Sequence, residues 1–106
     1  MINLSRKLPL AAIEEAVSTW RRLVTGDPAV YEPDLAGSLT NLSIQLGEAG
    51  RWPEALAAIE EAVDTYRRLV TANPAAYEPD LAASLTNQSK YLGLAGRRPE
   101  ALVRQG

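Results

Sequence analysis

The side chains of this sequence that could do chemistry come in adjacent pairs, and each pair occurs twice. Glu14-Glu15 and Glu60-Glu61 are neighbouring acids, and Arg21-Arg22 and Arg67-Arg68 neighbouring bases. General acid–base work needs two carboxylates that converge on one point, whereas adjacent helical residues point about 100° apart. The acids are therefore expected on a solvated face, and the arginines solvated or paired with acids. With no His and no Cys, imidazole catalysis, thiolate chemistry, disulfides and zinc sites fall away. Trp20, Trp52 and the tyrosines fall on apolar stripes, where they read as packing residues rather than stacking platforms. Gly47, Gly50, Gly93 and Gly96 read as helix-end and close-packing glycines, not as a phosphate loop. No catalytic residue, metal ligand or cofactor is expected, and the chain is not read as an enzyme.

Composition narrows the partners. The 106 residues make one small domain or a piece of a longer array, and 46% hydrophobic content is ordinary for a folded chain. A formal charge of −2, with cations scattered among acids, offers no basic footprint, so no nucleic acid is expected. No apolar run reaches membrane-spanning length, and MINLSRKLPL lacks the apolar core of a signal peptide. The expectation is a soluble, cytoplasmic protein with no membrane role.

The elements that must position these residues announce themselves by repetition. Shifted by 46 positions, Ala12–Ala57 falls on Ala58–Val103, with roughly three positions in four identical. AIEEAVSTWRRLV (12–24) returns as AIEEAVDTYRRLV (58–70), and YEPDLAGSLTNLS (31–43) as YEPDLAASLTNQS (77–89). Each unit reads as two helices. Tyr31, Leu35, Leu39, Leu42 and Leu46 are spaced 4, 4, 3, 4; Leu56, Ile59, Val63, Tyr66 and Val70 are spaced 3, 4, 3, 4. Both are one-sided helical stripes. Gly50 closes the first helix, Pro53 and Glu54 open the second, and Asn73-Pro74 ends it. Asp64 and Arg68, four apart, are expected to pair. The order, naming the two types A and B, is B (about Pro9–Thr25), A (Tyr31–Ala49), B (Pro53–Thr71), A (Tyr77–Ala95) and a stub of B (Pro99–Arg104). No period-two alternation is sustained, so the fold class is all-α.

The unit resembles a tetratricopeptide repeat. Leu39, Leu42, Ser43 and Leu46 match the packing positions of its first helix, and Gly50, Ala55, Ile59 and Ala62 those of the turn and second helix. Leu85, Ser89, Leu92, Gly96 and Ala101 repeat the match. The 46-residue period exceeds the standard 34. With Leu39-Thr40-Asn41-Leu42, the unit looks most like the long kinesin-light-chain type and like arrays in bacterial signalling proteins. The resemblance implies antiparallel helix hairpins stacked as a right-handed α-solenoid over residues 1–106: a partial unit (1–28), a full unit (29–74), then an A helix with a truncated B helix (75–106). It also implies a scaffold for protein–protein contact.

By the same resemblance, the A helices line a concave, partner-binding face: Thr40, Asn41, Ile44 and Glu48 in one unit, Thr86, Asn87, Lys90 and Leu94 in the next. Asn41 and Asn87 match an asparagine that bonds the backbone of a bound extended peptide in relatives, or they hold adjacent helices together. An amide suits either role, because it both donates and accepts. The units differ where a partner is chosen. Leu42→Gln88 puts a polar group at a packing position, and Ile44→Lys90, Gln45→Tyr91 and Glu48→Leu94 alter surface character.

The two ends do not match. Asn3-Leu4-Ser5 echoes Asn41-Leu42-Ser43 at an offset of 38 rather than 46, so the A-to-B turn is missing there. At the other end PEALVRQG is too short to cover an A helix. The alternative function is therefore self-association, as head-to-tail or swapped homo-oligomers, through Leu10, Ile13, Val17, Trp20 and Leu92. A piece cut from a longer array explains the same mismatch.

Overall fold

A computed structural model describes the backbone of residues 2–105 and the side chains of residues 9–96. Four helices follow one another: α1 (Ile2–Gly26), α2 (Pro28–Glu48), α3 (Trp52–Ala72) and α4 (Pro74–Gln105). No strand occurs among the described residues. Each helix packs on the next, and α2 also touches α4. The body measures 49 × 35 × 20 Å. Its short dimension is two helix diameters, so the helices form two layers.

The connections are short because local chemistry ends each helix sharply. Asp27 alone separates α1 from α2, and Asn73 alone separates α3 from α4. Both stand before a proline and are extended, at φ −150°, ψ 83° and φ −149°, ψ 82°. The amide of Ala76 donates to Asn73 Oδ1 at 3.3 Å, closing the first turn of α4. Between α2 and α3, Gly50 takes φ 78°, the left-handed conformation that glycine adopts without a Cβ penalty. Its amide donates to Gly47 O at 3.0 Å, and that of Arg51 to Leu46 O at 2.9 Å. This is the paired capping of a Schellman turn. Arg51 and Glu54 pair across the start of α3.

The core sits where the stripes meet. Leu35, Ala36, Leu39 and Leu46 of α2 face Ala55, Ile59, Ala62, Val63 and Tyr66 of α3, with Val17 and Tyr91 completing it. Alanines at 0% exposure (Ala36, Ala55, Ala62) let the backbones approach closely. The phenol of Tyr66 passes over Gly37 of α2.

Four expectations change. The stub of helix B after Ala95 is not separate: α4 runs on through Gly96 and Pro99 to Gln105. The α1 helix likewise begins at Ile2 and carries Pro9 inside it. Asp64 does not hold Arg68, whose Nη2 instead donates to Glu32 Oε2 on α2 at 2.8 Å. Glu61 is not a freely solvated acid, for both its oxygens accept from Arg21 of α1, at 2.6 and 2.8 Å. The side chains of Asn3, Leu4, Ser5 and Ala101 lie outside those described.

Candidate functional site

Two A-type helices, α2 and α4, lie side by side, and small residues set their spacing. The Thr40 and Ser84 hydroxyls stand 3.5 Å apart, within hydrogen-bonding reach. Further along, the Tyr91 ring packs on Gly47 so tightly that a Cβ there would meet the ring at 2.5 Å. Tyr91 is 2% exposed. This corrects its reading as a surface change from Gln45: it is the wedge that locks one A helix against the other. Burial, then the charge of Glu48, pushes its phenol above the ordinary range. A glycine one turn from an aromatic on the neighbouring helix is the sequence signal, but it becomes legible only once the helix spacing is known.

The candidate face follows from helical periodicity. Residues 41, 44 and 48 of α2 recur at intervals of three and four, as do 87, 90 and 94 of α4, so each set forms one stripe. Asn41, Ile44 and Glu48 are exposed; so is Lys90, while Asn87 and Leu94 are half-buried. The side-chain amides of Asn41 and Asn87 make no hydrogen bond among the described residues. Thr40 and Thr86 instead donate to their own helices, to Ala36 O at 3.0 Å and Ala82 O at 2.9 Å. Lys90 Nζ lies 5.7 Å from the centre of the Tyr91 ring. The stripe on α2 runs Asn41, Ile44, Glu48 and that on α4 Asn87, Lys90, Leu94, so each carries one charge and one apolar side chain.

Elsewhere, Arg21, Glu32, Leu35, Glu61, Asp64 and Arg68 border an open groove of about 420 Å³ between α1, α2 and α3. Its charges are largely spent on one another through the Arg21–Glu61 and Arg68–Glu32 pairs. No cluster of three metal-ligating side chains occurs among the described residues.

The residues expected to join chains divide. Val17, at 6% exposure, is occupied by the packing of α1 on α2. Leu10, Ile13 and Trp20 are half-buried, and the Trp20 ring leans on Tyr31 with centroids 6.0 Å apart. Leu92 is 50% exposed.

No curated protein and no solved structure is matched by the chain. None of its helices, over the described residues, is long and apolar enough to cross a membrane. The tetratricopeptide-repeat family model matches residues 35–74, from the buried half of α2 through α3 to Pro74. Repeats of this family are scaffolds for protein contacts, and the second copy of the unit carries the same stripes into α4. The segment 35–74 is a tetratricopeptide repeat, and the chain built on it is an all-α repeat scaffold for protein interaction.

Proposed function

We propose that the adjacent stripes of α2 and α4 receive an extended segment of a partner protein. Asn41 and Asn87 bond its backbone, Ile44 and Leu94 take apolar side chains, and Glu48 and Lys90 select charge. The observation that carries this reading is the pair of unpartnered amides at equivalent positions of two helices in contact. An asparagine kept to join helices needs a partner within the chain, and these two have none among the described residues. An extended peptide offers alternating N–H and C=O groups that one amide side chain satisfies together.

The test starts from a random-peptide display selected on the wild-type protein. The best peptide is then titrated calorimetrically into the wild type and into Asn41→Ala/Asn87→Ala. Each lost bond weakens binding by about 0.5–1.5 kcal/mol, so the double variant should bind roughly tenfold or more weakly. Unchanged affinity, with an unchanged circular-dichroism spectrum, would contradict the reading.

A second reading, self-association, has its own observation. The outward side of α1 bears a largely apolar groove of about 410 Å³ between Ala12, Ala16 and Trp20.

A further inference from the structure

The same residues meet different fates in equivalent helices, and the uncovered sets are complementary. On α3, Ala58, Ile59, Ala62 and Thr65 are 8%, 0%, 0% and 5% exposed. Their counterparts 46 positions earlier on α1 are Ala12, which is exposed, and Ile13, Ala16 and Thr19, which are half-buried. On α2, Ala36, Ser43 and Leu46 are 0%, 0% and 5% exposed. Their counterparts on α4, Ala82, Ser89 and Leu92, are all exposed, Leu92 at 50%. Among the described residues, the face that α2 presents to α3 thus recurs exposed on α4, and the face that α3 presents to α2 recurs only half-covered on α1. Helix α4 continues past Gly96 to Gln105.

Charge says what fits there. Arg68 of α3 reaches Glu32 of α2, and Arg21 of α1 reaches Glu61 of α3. Moved on by one unit, the first contact needs an arginine at the position of Arg22 opposite Glu78. The second needs Arg67 opposite an acid at the position of Glu15. All four residues are present and exposed, and none is in an ion pair among the described residues. Arg22 and Glu15 lie on α1, Arg67 on α3 and Glu78 on α4, so the charges an incoming α1 needs are those α3 and α4 leave open.

We propose that α1 of a second copy seats on the uncovered face of α4 in the register in which α3 lies on α2. Two ion pairs between copies close the contact: Arg22 of one copy with Glu78 of the other, and Glu15 with Arg67. The inference rests on the second reading above and gives it a partner surface and a register. The internal contact is not reproduced everywhere: Pro9 stands where α3 has Ala55, Trp20 where it has Tyr66, Ala83 where α2 has Gly37, and Gln88 where it has Leu42. Trp20 leans on Tyr31 of its own chain, so the indole is already drawn toward α2. The contact is heterologous, with one end meeting the other, and it either closes into a ring or continues the stack.

Sedimentation velocity of the full chain across a micromolar concentration series tests this. Wild type should grow in mass with concentration, and Ala16→Arg, which fills the α1 groove with charge, should remain a monomer. Arg22→Glu and Glu78→Arg should each raise the dissociation constant about tenfold or more by setting like charges opposed. Combined in one chain, they should restore the wild-type value. Circular dichroism checks that each variant remains helical. A wild type monomeric at every concentration overturns both this proposal and the self-association reading. Assembly blocked by Ala16→Arg but not restored by the charge exchange overturns the register alone. Assembly undisturbed by Ala16→Arg overturns the use of α1.

Discussion

Helices α1 and α3 carry the same residues from Ala12 to Thr25 and from Ala58 to Thr71, save Ser18 for Asp64 and Trp20 for Tyr66. Yet α3 contributes seven buried residues, from Ala55 to Tyr66, whereas among the described side chains of α1 only Val17 is buried. The sequence is almost constant between them, so the difference lies in the neighbours. α3 is packed by α2 on one side and α4 on the other, while α1 packs on α2 and reaches α3 only through the Arg21–Glu61 pair among the described side chains. In a repeat scaffold a stripe is an offer of contact, and burial records whether the offer has been met.

The largest effect should come from deleting the same methyl groups in both settings. Ile59→Ala should cost about 2–5 kcal/mol, because a fully enclosed side chain leaves a cavity. Ile13→Ala should cost about 1–2 kcal/mol, since water already reaches part of it. Urea unfolding of the two variants reads the ratio, and equal losses would erase the distinction between the helices. Equivalent glycines sharpen it with opposite signs. Gly47→Ala sets a methyl into the Tyr91 ring and should destabilise by about 1–3 kcal/mol. Gly93→Ala meets nothing within 4 Å inside α4, so it should stabilise by up to about 1 kcal/mol. The turn glycines behave likewise. Gly50→Ala forces an L-residue into φ 78° and should cost about 1–2 kcal/mol, whereas Gly96→Ala lies in helical backbone and should gain.

The smallest effect is a titration. Burial raises the phenols of Tyr66 and Tyr91, with the charges of Asp80 and Glu48 adding to it. A group whose proton is held more tightly when folded contributes stability at low pH and loses it as pH climbs. The loss should set in above the ordinary phenol value of about 10. Tyr66→Phe/Tyr91→Phe should flatten that decline in thermal melts taken between neutral and alkaline pH.

Much of this architecture was legible along the chain. The 46-residue period, the stripes, Gly50 as the glycine that ends α2 and the stop at Asn73-Pro74 all depend on local spacing. What escaped were contacts that need the angle between helices. Spacing sees Asp64 four residues from Arg68 but cannot see Glu32 on the neighbouring helix closer to it. Nor can it see Arg21 reaching forty positions to Glu61, or Tyr91 finding the slot above Gly47. The straight run of α4 was hidden for a different reason. GEAGRWPEAL and GLAGRRPEAL look alike, but a turn persists only when the helix after it has something to bury. Of the candidate face, the registers of Asn41 and Asn87 were readable, and their lack of a partner among the described residues was not.

The account turns on identical segments being distinguished only by what covers them, and amide hydrogen exchange resolved by residue tests that most directly. At a concentration where sedimentation reports a monomer, amides of α3 around Ile59 and Ala62 should exchange near the global unfolding limit. Those of α1 around Ile13 and Ala16 should exchange markedly faster. Raising the concentration should slow α1 and leave α3 unchanged. Equal protection of the two helices in the monomer would contradict the account.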